Sequence, residues 1–137
     1  MDKKKIIILT SIIAVLIIGV FTFLSIRQII KNKDILDSDK LVLRIEQENS
    51  NKEKILLYEF EFTSDLVFEE DIYSLINTGS KNRLIIKDGV CKVVNTTCPT
   101  HSCESYIISL DGGIFANITS ISCLPNGLYI TLDAMSN

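Results

Sequence analysis

Hydrophobic and polar residues change rhythm along this chain, and each rhythm predicts a different element. Residues 6 to 26 have no rhythm at all: twenty-one positions without a charge, fifteen of them Ile, Leu, Val or Phe. At about 1.5 Å of rise per residue a helix of that length reaches about 32 Å, which matches the hydrocarbon core of a bilayer. Fifteen such residues contribute about 5 to 9 kcal/mol to insertion, which outweighs Thr10, Ser11, Gly19, Thr22 and Ser25. A transmembrane helix is therefore predicted over 6–26, behind a short basic N-terminus over 1–5 that carries Lys3, Lys4 and Lys5. The same basic start would suit a secretory signal, but signal cores run about 7 to 15 residues and end at small side chains. Between 21 and 26 only bulky residues surround Thr22 and Ser25, so an uncleaved anchor is the expectation.

The helix is predicted to run on through a juxtamembrane segment, 27–39, until Asp37, Ser38 and Asp39 stop it. From residue 40 the period falls to two, as in half-buried strands. Leu41, Leu43 and Ile45 alternate with Val42, Arg44 and Glu46. After a polar turn over 49–54, Leu56, Tyr58, Phe60 and Phe62 are expected on one face, with Leu57, Glu59 and Glu61 on the other. Residues 63 to 79 are ambiguous. Ile72, Leu75 and Ile76 follow helical spacing and Glu69, Glu70 and Asp71 suit a helix N-terminus, while a short strand is equally compatible. The acidic trio has neither the alternating oxygen ligands nor the turn glycine of a calcium loop, so it reads as a solvated helix end.

The strongest local signal is Asp88-Gly89 between two apolar runs, which predicts a two-residue hairpin with both turn residues at positive φ. Its register sets Lys87 opposite Val90, Ile86 opposite Cys91, Ile85 opposite Lys92 and Leu84 opposite Val93. Cys91 then shares a face with Leu84, Ile86 and Val93 and is expected to be a core thiol. Two further hairpins are predicted. One runs over 106–110 and turns at Asp111, Gly112 and Gly113 into a strand from Ile114; the other runs over 119–124 and turns at Pro125, Asn126 and Gly127 into 128–132. Short strands at this spacing predict a mainly β fold, a small antiparallel β-barrel or sandwich over 40–133, preceded by the one transmembrane helix.

Charge narrows the partners. Residues 34 to 137 carry sixteen acids and eight bases, a formal charge of −8, which repels phosphate backbones and argues against nucleic acid. No Gly-rich phosphate loop occurs, because Asp111-Gly112-Gly113 reads as a turn. His101 is the one histidine, so Cys–His catalysis would need it beside a thiol with an orienting group that nothing marks. Neither a Cys-x-x-Cys nor a βαβ frame is present for thioredoxin-like chemistry. No catalysis, cofactor or small-molecule substrate is expected. Asn95-Thr96-Thr97 and Asn117-Ile118-Thr119 match glycosylation acceptors, a common chance match.

With Cys91 assigned to the core, Cys98, Cys103 and Cys123 are the disulfide candidates; in an oxidising compartment an odd set gives one bridge and one leftover thiol. A Cys98 to Cys103 bridge would close a tight loop around Pro99 and His101, whereas either one bridged to Cys123 would tie that loop to the last hairpin. The metal alternative is Cys98, His101, Cys103 and Cys123, a Cys3His set of the structural zinc type, although three ligands crowd into six residues and one stands alone.

Asn82-Arg83-Leu84-Ile85-Ile86-Lys87-Asp88-Gly89-Val90, then Cys98-Pro99 with Cys103, then Ser122-Cys123-Leu124-Pro125-Asn126 resembles the NusG domain II-like family of exported bacterial proteins. The resemblance covers residues 40 to 133 and implies a compact β-barrel-like domain behind an N-terminal membrane segment. Thr100 stands where the family usually has an acid or amide, the glycine usual near Ser105 is absent, and Cys91 is additional. No transcription role is implied, since the polymerase-binding domain of NusG is missing.

Orientation sets two signals against each other. Three lysines precede the span and Arg27, Lys31, Lys33, Lys40 and Arg44 follow it, a count that favours a cytoplasmic C-terminus. Against it stand the interleaved Asp34, Asp37 and Asp39, the four cysteines and the exported character the resemblance implies. The expectation is a plasma-membrane protein, crossing once, whose outward-facing domain is a binding or accessory module for a cell-envelope protein. The alternative is a thiol-redox or zinc-binding domain at Cys98, Cys103 and Cys123.

Overall fold

A computed structural model describes residues 3–36, 40–111 and 118–135. The apolar run forms one helix, α1, Lys3–Leu36, of 34 residues. Its stretch Thr10–Ile30 has a mean hydropathy of 2.2 and none of it is buried against the rest of the chain, so the helix is long and apolar enough to cross a membrane. Two hydroxyls inside that stretch are satisfied by the helix itself: Thr22 donates to the Ile18 carbonyl at 2.8 Å and Ser25 to the Phe21 carbonyl at 2.9 Å. The helix runs past 26 as predicted, and near its end Ile35 packs against the core of the β domain.

Eight strands follow: β1 Leu41–Glu48, β2 Lys54–Glu61, β3 Phe68–Tyr73, β4 Lys81–Lys87, β5 Val90–Val94, β6 Ile107–Ser109, β7 Ser120–Cys123 and β8 Leu128–Ala134. They make two four-stranded antiparallel sheets, ordered β2-β1-β8-β7 and β3-β4-β5-β6. The two sheets remain separate and share a single core, so the sandwich half of the expectation holds and a closed barrel does not. Leu43, Ile45, Ile130 and Leu132 from the first sheet meet Leu84, Ile86, Cys91 and Ile108 from the second. Alternate residues of each strand face this core, which is why the period-two runs sit where they do. A buried Gln47 joins the layers, its Nε2 donating to the Tyr73 carbonyl at 2.6 Å.

The Asp88-Gly89 hairpin forms with the predicted register at every pair, and both turn residues have positive φ, 53° and 70°. The last hairpin also forms, with a 3-10 turn Leu124–Asn126 between β7 and β8.

The helical reading of 63 to 79 and the unbroken alternation of β2 change, and a third expectation falls outside the described residues. The segment 63 to 79 contains a strand, β3, and no helix, because its acids find partners across the sheets. Glu69 pairs with Arg83 and Asp71 with Lys81, both on β4, while Glu70 accepts the Tyr58 hydroxyl of β2 at 2.7 Å. In β2 a bulge shifts the register, with Ile45 opposite Tyr58 but Glu46 opposite Leu56. Leu57 is the extra residue and packs toward the core, and Leu56 turns outward at 50% exposure. Finally, β6 pairs with β5, and the strand expected from Ile114 lies outside the described residues.

Candidate functional site

The chemistry-bearing residues gather at one end of the sandwich, where three chain segments that leave the strands converge. The first leaves β5 at Asn95, whose φ of 49° reverses the chain. The next residues fold back beside the start of β4: the Thr97 N–H donates to the Lys81 carbonyl at 3.0 Å, and the Lys81 N–H to Thr97 Oγ1 at 2.8 Å. Cys98 and Pro99 then enter a turn closed by the His101 N–H on the Cys98 carbonyl, at 3.3 Å. A 3-10 turn, Ser102–Ser105, carries Cys103 inward. The third segment is the end of β7, where Cys123 faces the core before the turn containing Pro125.

A buried polar network fixes these segments against each other. The Thr96 hydroxyl donates to Asn82 Oδ1 and accepts the Cys98 N–H at 3.0 Å. Asn126 Nδ2 reaches the same Asn82 Oδ1 at 3.3 Å and the Lys81 carbonyl at 3.4 Å. Asn82 and Asn126 are fully buried and Thr96 nearly so, so each bond spares a polar group an unmet desolvation cost of about 1 to 3 kcal/mol. Glu104 adds a further tie by accepting the Thr96 N–H at 2.7 Å. Asn82 and Asn126 thus acquire a physical role: they hold the Cys98 loop and the Cys123 turn together.

Cys98, Cys103 and Cys123 are all buried, and their sulfurs lie within 4.8 Å of one another. All three are thiols in this structure, as is Cys91. Cys91 sits apart in the core between Leu84 and Ile86 of β4 and Ile108 of β6, and its burial pushes the thiol up to about 12. Burial also acts to raise Cys98, but the Thr100 hydroxyl, the Thr100 and His101 N–H groups and Cys123 hydrogen-bond its sulfur and hold it below the ordinary thiol value. The Thr100 hydroxyl lies 3.2 Å from that sulfur. Cys123 moves the other way, up to about 12, through burial and then through its neighbours Cys103 and Cys98, with the Asn126 N–H working against the rise.

His101 stands outside this group. Its φ of 50° turns it outward, its side chain is 60% exposed, and Nδ1 lies 3.6 Å from Glu104. Pro99 and Pro125 shape the two turns, and a shallow hollow beside the thiols is lined by Thr100, Ser102, Tyr106, Ser122, Leu124 and Pro125. Asp88 and Gly89 form the turn between β4 and β5, where the Gly89 carbonyl accepts the Leu110 N–H at 2.9 Å, and take no part in the thiol cluster. Thr96 and Glu104 were missed in the sequence. Thr96 stood out there only as part of a glycosylation triplet, and no spacing rule marks a carboxylate that accepts a main-chain N–H eight residues upstream.

A long apolar helix joined to a two-layer β domain with a buried three-thiol end defines a small modular protein with a membrane-compatible N-terminus. The chain belongs to the NusG domain II family, whose model matches residues 7–136. In fold it is similar to the crystal structure of a Listeria innocua protein, at 18% identity with a TM-score of 0.52, covering 72% of this chain and 100% of that one. It is similar also to a DUF1312 family protein of Enterococcus faecalis, at 21% identity with a TM-score of 0.50, covering 69% and 99% respectively. No curated protein matches the sequence.

Proposed function

We propose that this protein is anchored by α1 and presents its β domain on the outer face of the plasma membrane, as a binding or accessory module and not as an enzyme. The observation that carries the reading is the unburied apolar stretch Thr10–Ile30, which continues as helix to Leu36. No packing role within the protein accounts for it, and a bilayer does. The acidic balance of the domain keeps it in solvent and away from polyanions. Beside the thiols, Tyr106 and Leu124 are 47% and 67% exposed and line the hollow with Pro125, an apolar surface suited to a protein partner in the cell envelope.

Protease treatment of intact cells carrying the full-length protein with a C-terminal epitope tests the placement. Loss of the epitope while a cytoplasmic marker survives is the expected outcome; an epitope protected until lysis overturns it. Cross-linking in the same cells is expected to trap an envelope protein. Turnover of a substrate with no such partner would overturn the accessory role. The convergence of three sulfurs favours a second reading, in which the domain's activity is thiol or metal chemistry at Cys98, Cys103 and Cys123.

A further inference from the structure

Among the described residues, Cys98, Cys103 and Cys123 are the set of side chains arranged to hold a metal ion. Neither the β3 acids nor Cys91 competes with them. Glu69 and Asp71 are engaged by Arg83 and Lys81, Glu70 by Tyr58, and Cys91 lies among apolar residues. The metal alternative drawn from sequence needed His101 as a fourth ligand, and the structure turns that ring outward toward Glu104. What remains is three cysteines, Cys98, Cys103 and Cys123, at 1%, 0% and 2% exposure. A structural zinc site closes with four ligands in a tetrahedron, whereas three thiolates in a dry pocket suit a soft ion that accepts three-coordination.

We propose that Cys98, Cys103 and Cys123 form a three-coordinate thiolate site for a soft monovalent cation, copper(I) being the biological ion of that class. Binding replaces the S–H protons by the metal, and the protons pass to solvent. No electron is transferred, because the ion enters already reduced. The Thr100 hydroxyl lies 3.2 Å from the Cys98 sulfur, where it can meet part of the excess negative charge left on the sulfurs. The Asn82, Thr96 and Asn126 network holds the two sulfur-bearing segments at fixed separation, so little reorganisation accompanies binding. This inference stands independently of the side of the membrane on which the domain lies.

The test uses the full-length chain in detergent micelles, reduced and anaerobic, titrated with copper(I) from its bicinchoninate complex and in parallel with zinc(II). One copper per chain is expected, with X-ray absorption at the copper edge showing three sulfur neighbours. Cys98→Ser, Cys103→Ser and Cys123→Ser are each expected to weaken binding by tenfold or more, Thr100→Val by about tenfold, and Cys91→Ala and His101→Ala not at all. Circular dichroism of each variant shows whether it is folded, and the absorption measurement on the unaltered protein needs no variant. Copper taken up equally by the triple serine variant, or not taken up by the reduced protein, overturns the proposal. So does zinc bound in preference with a dependence on His101. Protein isolated with two of these sulfurs joined, and still indifferent to copper after reduction, overturns it as well.

Discussion

The four cysteines show how far one side chain's surroundings set its chemistry. Cys91 meets only apolar neighbours, so burial alone lifts it from 9.0 to about 12. An unfolded thiol loses its proton near 9 while the folded one keeps it, so above that pH the native state binds more protons than the unfolded state and stability falls as pH rises. This contribution is intact below pH 9 and is lost between about 9 and about 12, at up to about 1.4 kcal/mol per pH unit. Cys91→Ala should cost about 1 kcal/mol at neutral pH through the small cavity it leaves. Its urea-unfolding free energy should then fall less steeply than the unaltered protein's from pH 9 to 11, and parallel curves would refute the assignment. The place of Cys91 was legible because a type I′ turn fixes its register over three residues. The role of Asn82 and Asn126 was not: their contact joins positions 44 apart, and no local pattern reports it.

Elements were legible where their partner was near in sequence or their pattern unbroken. The helix, the Asp88-Gly89 hairpin and the β7–β8 hairpin all meet that condition. β3 does not, since the residues that make its acids acceptable in a strand, Arg83, Lys81 and Tyr58, stand 10 to 14 positions away. The bulge at Leu57 escaped for a related reason: the alternation of Tyr58, Phe60 and Phe62 with Glu59 and Glu61 carries on past it, and the register shift depends on the partner strand. One turn shows how a junction between elements can be as demanding as the elements themselves. Gly127 has φ 65°, and a Cβ there would come within 3.0 Å of Ile76 Cδ1, 3.2 Å of Glu48 Cβ and 3.3 Å of the Glu48 carbonyl oxygen. Gly79 has φ 82° but open space around it. Gly79→Ala should therefore cost the conformational penalty alone, about 1 to 2 kcal/mol, and Gly127→Ala measurably more because backbone also stands in the way. At roughly 4 to 8 °C per kcal/mol for a domain of this size, thermal melts separate the two. Equal losses would show that the crowding is relieved without cost.

At the scale of the molecule, the sequence displayed two parts and the structure shows how separable they are. Alternation announced strands but not which edges stay open; a period of two is equally consistent with a barrel, and only the division of the strands into two separate sheets settles the sandwich. The apolar helix, by contrast, declares itself by composition, and its residues 10 to 30 lie exposed outside the β core. Its stability and the domain's should then respond to different changes. The run over 6–26 contributes about 5 to 9 kcal/mol to insertion, and each exchange of a central Leu or Ile for Arg removes about 0.3 to 0.6 and adds about 2.5 to 3.5. Leu16→Arg alone should leave the protein resistant to alkaline extraction from membranes, since the balance stays favourable. Leu16→Arg combined with Ile17→Arg removes about 6 to 8 kcal/mol, cancels most or all of that balance, and should release much of the protein into the soluble fraction. The melting of the β domain should be unchanged in both variants, because the altered side chains, 63% and 51% exposed, touch none of its core. Unaltered protein that washes off with alkali would remove the case for an anchor, and a double variant whose β domain melts lower would show that the stretch around Leu16 and Ile17, and not just the end of the helix at Ile35, supports the domain.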